Sequence, residues 1–438
     1  MKLPFLNHTG KKEEQVVVFG GLNLTETTRD GEFLFCEGVT TQQYPVLRTR
    51  CANVTEFNGT DVPVGTWRSA TTSYGISYQP QTGFVSMDVW DSVLGFTQYY
   101  GFENKTAKDV SAIRGVAMTN FMLFPSLGIL FEGLTGTFLS DESLASLPDL
   151  TCAVAWNNRL WTVDGHTVYG SALGKPLVFE EFNGLSTDSY SVAVDSPEPL
   201  TAVMGYGSHL LIFSESRMWR LYGDLPSNFT LQEVRFVGTR FPYSFATDNA
   251  VLYWVGSDGD IYAYTGNLPQ NISRDIGLTV FGDVDCFGAV KDGNYRLLAG
   301  GLSYEYDPVH HLWVTLTEQP LLRIDPLVLD TSYRLLDFDL NYEGRWSVTF
   351  APFREDTAAR KGYHSLVLDL DFSGYLTVAV SEGDGLLREV FSATEATMRT
   401  LQIPLPLNRC DKYNVRIVGE GTAVIRRMTK KYCIYSDK

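Results

Sequence analysis

Apolar and polar residues alternate in short segments along most of the chain, and few segments show the 3.6-residue spacing of an amphipathic helix. Residues 250–266, AVLYWVGSDGDIYAYTG, are typical, because two apolar runs flank the turn residues Asp258 and Gly259. In the second run Ile261 and Ala263 face one side of a strand, and the neighbouring tyrosines face the other. Since both faces are apolar or aromatic, this hairpin is predicted to be packed on both sides.

The same hairpin pattern recurs along the central part of the chain. Leu160, Leu210, Leu252 and Leu297 stand at equivalent places, at intervals of 50, 42 and 45 residues. A period of this length with a strand pair in each unit is the signature of a β-propeller. One small sheet cannot cover both of its faces, so the units must stack on one another. Five or six units fit the pattern, and the number of blades stays open.

The patterns at the two ends of the chain differ from the central one. Residues 1–62 alternate irregularly and are predicted to form an extended N-terminal arm that lies against other elements. Residues 63–325 are predicted to form the propeller. Residues 326–438 contain eight short apolar segments separated by turn residues, the pattern of a β-sandwich, in which Lys430 and Lys431 would protect a strand edge. The predicted fold class is therefore all-β: a β-propeller preceded by an extended N-terminal arm and followed by a C-terminal β-sandwich.

Composition narrows the possible function classes. The 438 residues have a formal net charge of −16, with 44% hydrophobic and 20% charged residues, as in a folded acidic protein. A nucleic-acid-binding surface needs clustered lysine and arginine to release counterions, and this charge balance argues against one. The most apolar stretch, residues 115–131, is interrupted by Asn120 and Pro125. Membrane insertion is therefore not expected.

The six cysteines lie far apart and include no CxxC pair, which excludes the common zinc frameworks. Buried free thiols of a chain folded in a reducing cytosol are expected instead. Cys410 and Cys433 can form a disulfide only if their strands are adjacent, which the sequence leaves open.

The familiar catalytic motifs are missing: the sequence has no phosphate-binding loop, no HExxH motif and no nucleophile elbow. Asp258 and Asp260 flank a glycine at a hairpin tip and are interpreted as turn residues rather than a cation site. His310 and His311 are adjacent, so in a strand they would point to opposite faces and could not chelate one ion together. Four tryptophans at matching blade positions are expected to pack between blades: Trp161, Trp219, Trp254 and Trp313. No catalytic, cofactor-binding or metal-ligating residue is predicted, no cofactor is expected, and the chain is not expected to be an enzyme.

Two stretches carry a family resemblance. In residues 19–50, Gly20-Gly21-Leu22-Asn23 is followed by Gly31-Glu32 and then by Arg48-Thr49-Arg50. In residues 153–182, an Asn-Arg-Leu hairpin leads to Tyr-x-Ser and then to a Gly-Lys-Pro-x-x-Phe turn. In this order they resemble the tail nozzle and packaged-DNA stabilisation proteins of tailed bacteriophages, and the resemblance spans about residues 15–320. The chain departs from the family at Cys51-Ala52, where Pro-Gly is usual.

The resemblance implies a structural protein of a tailed-phage virion, which forms an oligomeric, nozzle- or hub-like ring at the tail and gates or conducts DNA ejection. Its partners would be other copies of itself, commonly in a hexamer, and tail proteins such as an adaptor, tail fibre or tailspike. DNA would be only passing cargo. The protein would be assembled in the host bacterial cytoplasm and located in the virion tail.

Two alternatives remain. A carbohydrate-binding or glycan-cleaving receptor-binding tail protein would also use a propeller, although the repeated Asp boxes of sialidases are absent. An intracellular protein-interaction propeller ranks last, because the WD and kelch signatures are missing.

Overall fold

The computed structural model contains seven four-stranded β-sheets and one nine-stranded β-sheet within the part of the chain that it describes. That part comprises residues 10–56, 61–70, 72–91, 95, 97–133, 137–139, 144–248, 250–318, 320–324, 327–330, 334–342, 344–355, 357–394 and 400–435.

The strands are numbered in chain order. The first five are β1 (Lys12–Val16), β2 (Phe33–Glu37), β3 (Val39–Thr40), β4 (Leu47–Thr49) and β5 (Cys51–Glu56). Six four-stranded sheets follow in succession, each built from consecutive strands: β6–β9 (Val62–Ser69, Thr72–Gln79, Phe84–Asp91, Thr97–Phe102), β10–β13 (Val116–Met118, Phe121–Phe124, Ile129–Glu132, Thr137–Leu139), β14–β17 (Val154–Trp156, Arg159–Asp164, Thr167–Gly170, Tyr190–Ala193), β18–β21 (Leu200–Tyr206, His209–Ser214, Met218–Tyr222, Thr230–Val234), β22–β25 (Ala246–Thr247, Leu252–Val255, Ile261–Tyr264, Gln270–Asn271) and β26–β29 (Cys286–Lys291, Asn294–Ala299, Leu302–Asp307, Leu312–Glu318).

The remaining strands are β30 (Pro320–Ile324), β31 (Leu327–Asp330), β32 (Arg334–Tyr342), β33 (Gly344–Phe350), β34 (Lys361–Glu382), β35 (Arg388–Thr394), β36 (Thr400–Pro404) and β37 (Tyr413–Ile434). Helical structure is limited to one short helix, α1 (Ala107–Ser111), and three 3₁₀ turns, Pro125–Leu127, Pro242–Ser244 and Arg274–Ile276, in the described residues. None of these helices is long and apolar enough to cross a bilayer.

The first strands of the four-stranded sheets lie beside one another. Strand β6 contacts β10 and β30, β14 contacts β10 and β18, and β22 contacts β26. These strands therefore surround a common axis, as the inner strands of propeller blades do. The fold is all-β and contains a β-propeller, as predicted.

The leucine period has a direct structural counterpart. Leu160, Leu210, Leu252 and Leu297 all lie in the second strand of their sheets, and none is more than 1% exposed. Each leucine faces a neighbouring blade or layer, where burial of an apolar side chain stabilises the fold.

The four tryptophans are also buried, so their predicted packing role is confirmed. Their equivalence is wrong, however. Trp161 and Trp254 lie in second strands, Trp219 in a third strand and Trp313 in a fourth. Every strand of a blade packed on both faces can bury a large ring, so burial does not require one fixed strand position.

The seventh four-stranded sheet combines the two ends of the propeller region. Strands β30, β31 and β32 pair in succession, and β5 adds to β32 with Leu336 opposite Val54. An N-terminal strand thus completes a blade whose other strands come from residues 320–342. This pairing crosses the predicted boundaries at 62/63 and 325/326, because β5 belongs to the predicted arm and β32 to the predicted sandwich.

Two strands of 22 residues, β34 and β37, form the centre of the nine-stranded sheet and pair along their whole length. Gly374 and Gly421 stand opposite each other with φ of +94° and +102°. A Cβ on either would lie 2.3 or 2.2 Å from a carbonyl oxygen of the partner strand. Glycine therefore lets both strands bend here without ending. For this reason four predicted short strands merge into two long ones.

The rest of the nine-stranded sheet comes from both ends of the chain. Strand β1 pairs with the C-terminal part of β37, β33 with its N-terminal part, and β2 with β33. The predicted sandwich of eight short strands and the predicted separate arm are therefore not confirmed, since β1–β4 are part of the same sheet as β33–β37. The charged-edge prediction is wrong for Lys430, which is fully buried on the central strand β37.

Candidate functional site

Arg159 lies in β15, the second strand of its blade, and it is fully buried. Its guanidinium donates hydrogen bonds to the carbonyl oxygens of Ser171 at 2.7 Å and Ser186 at 2.9 Å, and to that of Asp188. The Ser171 hydroxyl accepts a hydrogen bond from the backbone nitrogen of Leu160 at 2.9 Å. We call this group the Arg159 clamp. It fixes the long connection between β16 and β17 to the second strand of the same blade.

The opening segment packs against the blade that ends with β29. Gly21 has φ of +75°, and a Cβ there would lie 2.8 Å from the carbonyl oxygen of Trp313. The next amide, of Leu22, donates to that same oxygen at 2.7 Å. Gly31 is equally constrained, since a Cβ would lie 2.2 Å from the carbonyl oxygen of Val18. These glycines allow the backbone to approach another backbone closely.

A buried ion group continues this contact. Glu305 accepts a hydrogen bond from Arg296 Nε at 2.7 Å and lies 3.6 Å from Arg50 Nη1, and all three side chains are at most 8% exposed. The two arginines pair with the buried Glu305 carboxylate, so its negative charge is compensated. Arg50, the last residue of the opening stretch, is thereby held against β27 and β28.

A cavity of about 570 Å³ lies at the propeller axis, because residues of the first strands β6, β18, β22 and β26 line it. We call it the axial cavity. Its walls include Val64, Trp67, Met204, Phe287 and Val290. They are mostly apolar, and among the lining residues that the structure describes there is no carboxylate.

The connection between β9 and β10 closes one side of the axial cavity. Arg114 in this connection donates to the carbonyl oxygens of Ser111 at 3.0 Å, Ile113 at 2.9 Å and Gly288 at 2.8 Å. Since Gly288 belongs to β26, these bonds tie the connection to the inner strand of a distant blade. The connection is therefore held against the axial cavity by hydrogen bonds to the backbone.

Four ionisable groups meet where the N-terminal segment touches the nine-stranded sheet, and we call them the Lys430 cluster. The fully buried Lys430 ammonium donates to Glu355 at 2.6 Å and to Asp30, and lies 3.8 Å from Glu14. The ring of Phe353 lies 4.7 Å from Lys430 Nζ. The three acidic members of the cluster, Glu14, Asp30 and Glu355, line an open cleft of about 920 Å³.

Burial shifts the pKa of Glu355, one of the acidic members of this cluster. It raises the pKa of Glu355 to about 8, and the neighbouring Glu14 carboxyl adds to the shift while Lys430 opposes it. A hydrogen bond from Glu355 lowers the pKa of Glu14. One oxygen of Glu355, Oε1, has no donor among the described residues. When Glu355 is protonated, its carboxyl group can donate a hydrogen bond to the Glu14 carboxylate.

The carboxylate oxygens of Glu14, Asp30 and Glu355 lie within 4.8 Å of one another, a spacing that suits a divalent cation. The Lys430 ammonium, however, contacts all three and takes the position that such a cation would use. The cluster therefore brings together one ammonium and three carboxyl groups rather than a metal-ligand set.

The sequence offered one signal for this cluster that the prediction missed. Along β37, Met428, Lys430 and Tyr432 share one face of the strand, and all three are buried. A lysine flanked at both i±2 positions by apolar or aromatic residues points into a core. Its partners come from β1, from the loop before β2 and from the loop after β33, which strand periodicity cannot relate.

The aspartate pair Asp258 and Asp260 and the histidine pair His310 and His311 form hydrogen bonds with residues close to them in the chain. Asp258 accepts from the Tyr262 hydroxyl at 2.5 Å, and Asp260 accepts from Asn271 at 2.7 Å and from Arg274 at 2.9 Å. His310 and His311 lie in the turn between β28 and β29 and not in a strand. The first bonds Asp307 at 2.8 Å and the second the Tyr306 hydroxyl at 2.9 Å, so the two rings have different partners.

The described cysteines whose side chains are placed are free thiols: Cys36, Cys152, Cys286, Cys410 and Cys433. Burial raises the pKa of Cys36 and Cys286 to about 12 and that of Cys152 and Cys410 to about 11. Such thiols are poor nucleophiles at neutral pH. The pairing left open for Cys410 and Cys433 is absent in the structure.

Comparison with known proteins finds low-scoring similarities to other solved structures. No protein-family model and no curated protein match the chain. Among solved structures, it is similar to the β-propeller domain of the Trilobed protease from Pyrococcus furiosus (10% identity, 61% of this chain and 90% of that chain, TM-score 0.34). It is also similar to the Pan2 WD40 domain from Neurospora crassa (9%, 66% and 94%, TM-score 0.36) and to BamB from Moraxella catarrhalis (9%, 74% and 97%, TM-score 0.33). Scores this low carry no argument about activity or partners.

Proposed function

We propose that the chain is a structural subunit of a tailed-phage virion, which forms an oligomeric ring at the tail and lets DNA pass through the ring. The observation that carries the proposal is where the family-like residues lie. Gly21 and Arg50 hold the opening segment on a blade, and Gly31 lets this segment pack closely on its own Val18. Arg159 with Ser171 holds a blade connection. The residues that carry the family resemblance are therefore structural residues of this fold.

The axial cavity and the net charge shape this proposal further. Because residues of the β9–β10 connection line the axial cavity, we propose that DNA passes between copies of the chain and not along the axis of one propeller. A net charge of −16 would keep DNA from adhering to the walls of such a channel. The chain would act as a conduit and would not be an enzyme.

The nine-stranded sheet is the surface that we propose for contacts between copies or with other tail proteins. The hairpin between β34 and β35 presents Leu386, which is 96% exposed, and Leu387, which is 41% exposed. The two adjacent leucines form a small exposed apolar patch, and exposed apolar patches can mark contact surfaces. Changing both to Asp is expected to weaken self-association, because each carboxylate would have to be desolvated in the contact. Phe281→Asp, at another strongly exposed site, is the matched control.

Electron microscopy of the purified protein, together with its molecular mass in analytical ultracentrifugation, tests directly whether it forms a ring. Closed rings, and the same chain in purified virions, are the expected results. A chain that stays monomeric at high concentration and is absent from virions would contradict the proposal. Rings that persist unchanged in the Leu386→Asp, Leu387→Asp double variant would exclude the hairpin as the contact.

A glycan-binding role is the second candidate, favoured by one exposed aromatic pair. Trp90 in β8 and Tyr99 in β9 are 53% and 61% exposed, and their strands are neighbours in one blade. Such rings can stack on sugars, which present apolar faces. If the protein binds host surface polysaccharide and Trp90→Ala abolishes this binding, the result would support the role. If the unaltered protein does not bind the polysaccharide, the result would contradict it.

A further inference from the structure

Lys430 combines three properties that make a side-chain amine reactive towards a carboxyl group. Its side chain is fully buried, it touches the carboxylate of Asp30, and it touches the carboxyl group of Glu355. Amide formation needs the amine nitrogen and the carboxyl group in contact, with a further group beside them that moves protons, and these contacts supply both. A neutral amine is a nucleophile, whereas an ammonium is not.

Glu355 supplies the group that such a reaction needs for proton transfer. Its side chain is fully buried, one of its oxygens contacts Lys430 Nζ, and the other has no donor among the described residues. Its oxygens also lie within 4.8 Å of the Asp30 carboxylate. It can therefore accept a proton from the amine and deliver one to an oxygen of Asp30.

We propose that Lys430 and Asp30 condense to an intramolecular amide, with Glu355 carrying the proton. The ammonium first gives a proton, through Glu355, to the Asp30 carboxylate. Nζ then attacks Cγ of the resulting acid, the Nζ–Cγ bond forms, and Glu355 moves the second amine proton to the departing hydroxyl. The C–O bond breaks and one water molecule leaves. One ammonium and one carboxylate are consumed, and Glu355 returns to its starting state.

Asp30 is the acceptor for geometric reasons. Its carboxylate is 30% exposed at the cleft, so the released water can escape, whereas Glu355 is enclosed. Glu14 lies farther away, at 3.8 Å from Nζ. The aromatic ring of Phe353 lies 4.7 Å from Nζ and shields one side of the amine.

The bond would join residues 400 positions apart. It would fasten the opening segment to the central strand of the nine-stranded sheet, directly before the chain enters β2 and later supplies β5 to the last blade. The crosslink concerns this chain alone and goes beyond the proposed virion role, so it can be tested whether or not the chain forms rings.

Mass spectrometry of the full-length denatured protein tests the proposal. The expected mass is that of the sequence minus one water molecule. Trypsin should then leave a branched peptide in which residues 30–48 are joined to residues 428–431, because amidation blocks cleavage after Lys430. A full unmodified mass together with normal cleavage after Lys430 would overturn the proposal. A crosslink that maps to Glu14 or Glu355 would overturn it equally.

Substitutions separate the three roles. Lys430→Arg keeps the positive charge and Asp30→Ala removes the acceptor, and both should restore the full mass. Asp30→Asn should still form the crosslink but with loss of ammonia in place of water. Glu355→Gln should leave the mass unmodified while circular dichroism shows the native fold, and complete crosslinking in this variant would contradict the role of Glu355. Lys412→Arg, at an exposed pair with Asp384, is the matched control and should not change the result.

Discussion

At the scale of single residues, the Arg159 clamp makes a measurable contribution to stability. Arg159→Leu removes a buried donor and leaves three carbonyl oxygens without their partner. We expect the free energy of unfolding to fall by about 3 kcal/mol, since each buried carbonyl oxygen without a hydrogen bond costs about 1–3 kcal/mol before the structure relaxes. Urea denaturation measures the change.

The control for this substitution is Arg217→Leu. Arg217 is exposed and lies 3.4 Å from Glu233, and surface pairs of this kind contribute about 0–1 kcal/mol. Equal losses in the two variants would show that the clamp carries no special stability.

Glu355 gives stability a defined pH dependence. Its pKa is about 8 in the fold against an ordinary value of 4.5, so the folded state holds the proton more tightly than the unfolded chain. This contribution is fully present below pH 4.5 and is lost as the pH rises through about 8. The lowered pKa of Glu14 acts in the opposite sense, but only at pH values below its ordinary pKa of 4.5.

We therefore expect the unfolding free energy of the unaltered protein to fall from mildly acidic to mildly alkaline pH relative to Glu355→Gln, which cannot ionise. Urea denaturation of both proteins across this range provides the measurement. Parallel pH profiles would contradict the expectation.

At the scale of secondary-structure elements, the contact of the opening segment with β29 depends on a glycine. Gly21→Ala places a methyl group 2.8 Å from a carbonyl oxygen at a positive φ, which costs about 1–3 kcal/mol of backbone strain. We expect a lower thermal midpoint and altered fluorescence of the adjacent Trp313. Gly75→Ala in β7, where nothing lies within 4 Å, is the control. Identical midpoints for the two variants would contradict this account.

The elements also show where periodicity succeeds as a guide. Alternation identified the hairpins because each strand pair of a blade is local in the chain, and the leucines that repeat all lie in second strands. In β34 and β37, by contrast, glycine led to the prediction of strand ends that the structure does not have. Gly374 and Gly421 look like turn residues, and only their pairing with each other turns two apparent chain reversals into one bend.

At the scale of the whole molecule, the N-terminal segment is structural in two sheets. A chain that begins at residue 61 would lose β5 from the last blade and β1–β4 from the nine-stranded sheet. We expect this truncation to abolish cooperative unfolding, because both sheets would expose unpaired strand edges and apolar surface. Near-ultraviolet circular dichroism during heating tests this, and an unchanged transition would contradict it.

By itself, the sequence determined what depends on neighbours in the chain: the all-β class, the hairpin unit, the period of the propeller and the burial of its leucines and tryptophans. The strand spacing of 2 and the repeat length are local properties that a linear pattern carries. Only the tertiary structure decided that β5 closes a blade, that both ends share one sheet, and that Lys430 meets Glu14, Asp30 and Glu355. These pairings join segments hundreds of residues apart, and they form because isolated strand edges and buried charges must find partners wherever the fold places them.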